Sequence, residues 1–359
     1  MTAQSKLSPR QFVASGFVSA LSLQIRRFPH SLCAQAGRGA LLAVPLSVLP
    51  LAVGLLAAGA LFRARRGGVP GLLTDLLGAA AARILTGLYG LWFVAYAGFL
   101  LRIGAERILT TVYTGAEPWV FVCIMALICA LAAAGRLLPI ARSAMIFRPL
   151  MLITIALIAA LTAKDLDLTL LRPLRGTDAA GLWLSALEVA SLLSIGFFLG
   201  FAGNTLSRPL RVRDYAPWLG VLLGVIALMT LSCIGMFGPE LTAGMRYPYF
   251  MLVRDLTVLG ALERAEPVVI ALWFFSDFIL ISLLLHLAAG NLCFALRLRA
   301  RRVLAPLCAL AAAAAALALP GGLDAQRALS EQIVPLLSAA FAFAPLPLLL
   351  VVGKLRGKL

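Results

Sequence analysis

The chain has 359 residues, of which 62% are hydrophobic and only 13% are charged. Soluble domains are roughly half apolar, so this composition excludes an ordinary water-soluble fold and favours a membrane protein with the lipid bilayer as its solvent. The formal net charge of +16 is typical of nucleic-acid-binding proteins, but the basic residues are distributed over the connections between apolar stretches, so we expect no nucleic acid as a partner.

Apolar stretches recur along the whole chain, and most approach the length of about 20 residues that an α-helix needs to cross a bilayer. Both faces of these predicted helices are apolar, as expected for segments between lipid and neighbouring helices. The sequence predicts an all-α membrane protein with a single membrane domain over residues 1–359 and ten transmembrane helices. These spans are expected near Gln11–Ala34, Ala40–Phe62, Ile84–Tyr113, Trp119–Leu138, Ala144–Ala163, Leu182–Leu206, Ala216–Phe237, Pro267–Phe294, Val303–Pro320 and Ile333–Gly353.

The connections between the predicted spans alternate in charge. Lys and Arg concentrate on one side, for example in residues 63–66, 208–213 and 297–302, whereas Glu240 and Glu266 lie in connections on the other side. Short connections rich in Lys and Arg stay in the cytoplasm. We therefore expect both termini of this integral membrane protein to be cytoplasmic.

The first span is unusually polar for a segment that crosses lipid, because it contains Ser22, Gln24 and Arg26. Ten spans allow a five-plus-five inverted repeat, a transporter plan in which spans one and six are interrupted near the midplane. We expect a break near Leu21–Ile25 whose exposed backbone groups bind a small zwitterion or ion. The alternative is a short helix whose arginines extend to the membrane interface.

Span six carries a matching polar signal in Glu188, Ser191, Ser194 and Gly196. An ionisable side chain inside a span costs a few kcal/mol and normally faces the bundle interior or a water-filled cavity. These residues are therefore candidates for ligand binding, together with Leu21, Ser22 and Gln24 of span one. The alternative is a packing seam, because small residues let a second helix approach closely.

Asp277 lies in the middle of an apolar stretch of span eight. A carboxylate at that depth binds a cation, relays a proton or pairs with the ammonium group of an amino acid; the alternatives are a hydrogen bond between helices and a neutral, protonated Asp. Tyr96 shares a helical face with Tyr89 and Trp92, and it is expected either to wall the pocket or to pack.

We expect no metal and no cofactor, because the cysteines lack the spacing of a zinc site, and no enzymatic activity, because catalytic and nucleotide-binding motifs are absent from the sequence.

Several local patterns together resemble one known family, the membrane-embedded B subunit of spore germinant receptors, a permease-like branch of the amino acid, polyamine and organocation transporter superfamily. The fragments keep a specific order over most of the chain. They are 7–12 (LSPRQF), 28–29 (FP), 34–38 (AQAGR), Arg102 with Glu106, 135–136 (GR), 141–142 (AR), 247–248 (YP), 262–266 (LERAE), 270–273 (IALW), Phe278 and 281–282 (IS).

This resemblance implies a ten-helix transporter-like (LeuT-like) fold with a pocket between spans one and six. It also implies a protein that senses a small-molecule nutrient such as an amino acid, beside an A-type membrane subunit and a C-type lipoprotein in the spore inner membrane. The chain departs from the family pattern at 20–22, where Ala-Leu-Ser replaces a glycine-rich break, and at Leu280, where relatives usually carry Lys.

Three functions are compatible with these features. In the first, the chain is a receptor subunit in which a ligand shifts a conformational equilibrium that partner subunits detect. In the second, it is a secondary amino acid transporter coupled to an ion gradient, for which Asp277 or Glu188 is the candidate ion-binding centre. In the third, it is a scaffold or channel without a ligand site, and the polar residues of spans one and six only pack.

Overall fold

The structure is a computed structural model that describes residues 6–24, 28–63, 68–111, 117–171, 178–193, 195–208, 210–255, 266–320 and 328–357. Within these ranges the chain is helical almost throughout. The single β-bridge of the described part joins Leu7 to Leu206 in parallel orientation. An α-helix satisfies every backbone polar group within its own segment, which a segment in lipid requires.

The described residues form a succession of helices. In chain order the α-helices are α1 (Pro9–Gln24), α2 (Phe28–Ala36), α3 (Ala40–Leu46), α4 (Val48–Arg63), α5 (Gly68–Leu77), α6 (Ala79–Thr111), α7 (Pro118–Ala134), α8 (Leu137–Thr162), α9 (Ala179–Leu193), α10 (Ile195–Phe198), α11 (Val212–Gly244), α12 (Pro248–Arg254), α13 (Glu266–Leu296), α14 (Arg301–Ala318), α15 (Val334–Phe343) and α16 (Pro345–Leu355). Four 3-10 segments, Gly37–Gly39, Ala163–Asp165, Leu168–Leu171 and Leu199–Thr205, and one π segment, Leu329–Ile333, lie between them.

The described residues contain seven helical stretches that are long and apolar enough to cross a membrane. Three shorter apolar helices accompany them in the described residues. One of these, α7, covers most of predicted span four, and the apolar part of α9, Ala179–Ser191, overlaps the first part of predicted span six. The all-α membrane character is therefore confirmed. The ten spans and the inverted repeat stay predictions.

Two glycines in the left-handed region mark where helices end. Gly238 has φ +77° and interrupts α11 directly after Phe237, the residue at which span seven was predicted to end. Gly37 has φ +51° and follows α2. Because this geometry is typical of helix C-termini, the apolar stretch Phe28–Leu56 is not one continuous α-helix.

One helix lies where the sequence analysis placed only a connection. α5 occupies Gly68–Leu77 between the second and third predicted spans. Its apolar side chains Leu72, Leu73 and Leu76 are buried in a small cluster with Leu349 of α16. Its ten residues are too few to cross a bilayer, so an apolar stretch of this length does not predict a transmembrane span.

The centre of the molecule is α13, which packs against α1, α6, α7, α8 and α14. Its side chains from Ile279 to Ala289 are all buried. Small residues on α6 make this packing close: a Cβ on Gly90 would lie 2.8 Å from Cγ of Leu292 in α13. Such close approach is how membrane helices gain dispersion energy, because lipid leaves little hydrophobic driving force between them. The polar side chains of α13 are therefore enclosed by its neighbours.

Candidate functional site

A buried ion pair links three helices at the centre of the bundle. Asp277 of α13 faces Arg107 of α6, with 2.6 Å between the carboxylate Oδ2 and the guanidinium Nη2. The hydroxyl of Ser22, on α1, donates a hydrogen bond to Oδ1 of the same carboxylate. The side chains of Arg107 and Asp277 are only 3% and 6% exposed. We call Ser22, Arg107 and Asp277 the buried triad.

Two further residues lie against the triad. Gly104 lies three residues before Arg107 on α6, and a Cβ there would be 3.7 Å from Oδ2 of Asp277, an ordinary contact distance. Trp273 precedes Asp277 by one turn, and its ring centroid lies 5.7 Å from the guanidinium carbon of Arg107. Moving charges out of water costs several kcal/mol per ion, which this pair offsets by close geometry and added hydrogen bonds.

Arg107 is the residue that the sequence analysis missed. Arg102 and Glu106, which belong to the fragments that resemble the family, pair with each other at 2.6 Å between Nε and Oε1. Glu106 also lies 3.5 Å from Nη2 of Arg246. Counting the charges of the apolar helix α6 would have pointed to Arg107. The helix carries two arginines and one glutamate near its end, so one arginine needs an acidic partner from another helix.

Glu188 has a different set of partners from Asp277. Its Oε2 accepts a hydrogen bond of 2.7 Å from Nε2 of Gln35 in α2. Ser185 donates to Oε1 of the same glutamine at 3.3 Å. Ser191 donates to the backbone carbonyl of Glu188 at 2.9 Å, so its hydroxyl is engaged within α9. The structure thus brings Ser22 and Asp277 together, and it places Glu188 and Ser191 in a separate polar cluster between α2 and α9.

Tyr96 is buried in a column of aromatic rings. Its ring stacks on Trp92 at 5.4 Å between centroids, and Trp92 stacks on Phe341 of α15 at 5.0 Å. The hydroxyl of Tyr89 donates to the carbonyl oxygen of Phe341 at 2.5 Å. Stacked rings of this kind hold α6 against α15, and the part of Tyr96 in ligand binding stays a prediction.

The expected breaks in spans one and six are described only in part. Leu21–Gln24 form the last turn of α1 and are helical, whereas Ile25 lies outside the described residues, as does the side chain of Gln24. Ser194 also lies outside them, and Gly196 is described only as part of the backbone of α10. Further along span six, Leu199–Thr205 is a 3-10 helix. Since 3-10 runs longer than three or four residues are uncommon and strained, span six departs from regular α-helix there.

A small cleft lies beside the triad, with free space of about 20 Å³, roughly enough for one water molecule. Leu21 and Trp273, which line the cleft, are neighbours of Ser22 and Asp277 in their own helices. Almost all of its wall is apolar; the lining residues are Leu21, Met151, Thr154, Ile155, Ile158, Tyr249, Val269, Leu272 and Trp273. The triad therefore supplies both charges, and the cleft supplies apolar surface close to them.

Metal binding has little support from the described residues, in which no three His, Cys, Asp or Glu side chains come together. The six cysteines are free thiols and are not paired with one another.

Comparison with known proteins identifies one family. The family described as "Spore germination protein" matches residues 6–318, nearly the whole chain. The chain is also similar to the Bacillus subtilis (strain 168) protein YfkT, which is named for a proposed part in spore germination, with 36% identity over 67 residues. That alignment covers 19% of this chain and 18% of the relative, so it spans only a small part of either.

Proposed function

The chain belongs to the spore germination protein family, and on that premise we propose that it is the nutrient-sensing membrane subunit of a germination receptor. The proposed nutrient is an amino acid. The proposed partners are an A-type membrane subunit and a C-type lipoprotein, in the spore inner membrane. Binding of the nutrient shifts the conformational equilibrium of this subunit, and the partners detect the shift.

The observation that carries this proposal is the buried triad. An amino acid zwitterion has a carboxylate that complements Arg107 and an ammonium group that complements Asp277. Removing one partner of a buried ion pair costs about 3–5 kcal/mol, because a charge is left without compensation. A zwitterion avoids this cost, since it supplies both counter-charges at once. The ligand therefore exchanges with the internal ion pair.

The consequence of this exchange is mechanical. Asp277 is held by α1 through Ser22 and by α6 through Arg107. A ligand that takes over the contacts of Asp277 frees both helices from α13. A change at the triad then alters the packing of three central helices. The ligand therefore interacts differently with the two packing states, which is what a conformational switch requires.

The fold proposed with this function has ten spans in a five-plus-five inverted repeat. Two features support related roles for spans one and six. The segment before α1 pairs with the segment after the 3-10 helix of span six, through hydrogen bonds of 2.9 Å from Leu7 N–H to Thr205 O and from Ser207 N–H to Leu7 O. Departure from α geometry at Leu199–Thr205 is the second feature.

Binding of labelled amino acids to the purified protein in lipid nanodiscs tests the proposal. The wild type should bind at least one amino acid, and Asp277→Asn and Arg107→Gln should each weaken binding by about tenfold or more, as expected for losing a charge-assisted hydrogen bond. Glu106→Gln is the matched control, because it changes a neighbouring buried carboxylate outside the triad. Equal binding by wild type and both triad variants would reject the triad as the ligand site.

Uptake into proteoliposomes separates the receptor from the secondary transporter. A receptor binds the amino acid without net flux, whereas a transporter accumulates it when an ion gradient is imposed. Flux that requires Asp277 would therefore replace the sensing proposal with the transport alternative. Co-purification of the A-type and C-type subunits with this chain from spore membranes tests the proposed partners.

A further inference from the structure

Arg148 is a second unusual charge, and it lies inside the long apolar helix α8. It follows Phe147 and precedes Pro149, and its side chain is partly buried. Arginine within a membrane helix is costly unless it finds a partner in the bundle or extends to the membrane interface. The triad does not include Arg148.

The guanidinium of Arg148 stacks on Trp218 of α11. The distance from its central carbon to the ring centroid is 3.8 Å. Trp218 in turn meets Phe17 of α1 edge-on, with 5.9 Å between ring centroids. A cation above an aromatic face is stabilised by the ring quadrupole, and stacking leaves the N–H donors at the edge of the guanidinium available.

Those donors find no acceptor among the residues that the structure describes, where Arg148 contacts Trp218 through the stack alone. The carboxylate one turn from Trp218, that of Asp214, is already engaged. It receives two hydrogen bonds from Arg208, at 2.7 and 2.8 Å, and one from the backbone N–H of Arg211 at 2.8 Å. Arg148 is therefore an oriented cation with five donors and no anion on this part of the chain.

The depth of Arg148 is within reach of lipid head groups. Arg142, an exposed residue of the same helix, precedes it by six residues, which is about 9 Å along the axis. Trp218 lies one turn inside Asp214, near the start of α11. Both positions are near the membrane end that carries basic residues, such as Arg211 and Arg213. A long arginine side chain spans that distance to the phosphate level.

We propose that Arg148 and Trp218 form a binding site for a phosphate group, and that the phosphate belongs to a membrane phospholipid. The planar guanidinium donates two parallel hydrogen bonds to phosphate oxygens. Trp218 fixes the plane of the guanidinium. The surrounding basic residues favour an anionic head group over a zwitterionic one. Through Phe17 the occupied site contacts α1, the helix that carries Ser22.

Native mass spectrometry of the purified full-length protein tests this site with dioleoylphosphatidylglycerol as the probe. The wild type should retain a bound lipid, and Arg148→Met should retain it at least about tenfold more weakly. Arg148→Lys should lie between the two, because it keeps the charge but loses the fork and the stacking. Arg142→Met is the matched control: it removes a cation from the same helix without touching the stack, and it should resemble the wild type.

Four results would overturn the proposal. The first is equal lipid retention by the wild type and Arg148→Met. The second is equal loss in Arg142→Met, which indicates attraction to total charge and not to a site. The third is Arg148-dependent binding of inorganic phosphate to the lipid-free protein, in an experiment where added lipid does not displace the phosphate. That result indicates a soluble ligand. The fourth is a loss of lipid retention in Arg148→Met while both Arg148→Lys and Trp218→Leu retain lipid like the wild type, provided that Trp218→Leu keeps its thermal stability. That result excludes the stacked geometry as the basis of binding.

Discussion

The buried triad predicts an unusual pattern of stability changes. Asp277→Asn leaves the guanidinium of Arg107 buried without its 2.6 Å counter-charge, and Arg107→Gln leaves the carboxylate in the same state. Each change should lower the free energy of unfolding by about 3–5 kcal/mol. The double variant leaves two neutral amides that can hydrogen-bond to each other, so it should lose less than about 2 kcal/mol. Removing both charges is thus expected to be less harmful than removing one.

Unfolding in mixed micelles with increasing mole fraction of a denaturing detergent measures these free energies. Tryptophan fluorescence is a suitable signal, because Trp273 lies beside the triad. Ser22→Ala provides a reference for the loss of a single neutral partner and should cost about 1 kcal/mol. If the loss in the double variant equals the sum of the losses in the two single variants, the two charges are not coupled, and the reasoning about charge exchange at the triad fails.

Two further predictions concern helix packing and pH. Gly98→Ala should destabilise the bundle by about 1–3 kcal/mol in the same unfolding assay, because its Cβ would lie 2.7 Å from a backbone oxygen that cannot swing away; the matched Gly290→Ala meets nothing within 4 Å and should be neutral or stabilising. Acidification should loosen the contact between His286 and Arg301, since Arg301 donates to Nε2 at 3.1 Å and a protonated ring cannot accept. Hydrogen-exchange protection at the start of α14, which is the rate corrected for the intrinsic pH dependence of amide exchange, should fall with pH in the wild type but not in His286→Phe. A wild type with pH-independent protection would contradict this.

The membrane character of the fold was predictable because the length of an apolar stretch is a local property of sequence. The end of span seven is a case in point: Phe237 is followed by glycine and proline, and the helix is interrupted at Gly238. The helix α5 was not predictable from the same criterion. Its stability comes from tertiary packing of Leu72, Leu73 and Leu76, and short helices depend on such packing more than on propensity.

The two intramembrane carboxylates show where reasoning from sequence stops. Asp277 and Glu188 give the same local signal, an acidic residue in an apolar helix that must have a partner. The partner of Glu188 is selected by backbone approach: a Cβ on Gly181 would lie 2.1 Å from the carbonyl oxygen of Gln35, so only glycine allows α2 to come this close to α9. That contact puts the Gln35 amide beside Glu188, where it donates a hydrogen bond to the carboxylate. Asp277 instead faces a guanidinium, that of Arg107, and a ligand carboxylate can take the place of Asp277 against that charge, which is why the zwitterion is proposed at Asp277.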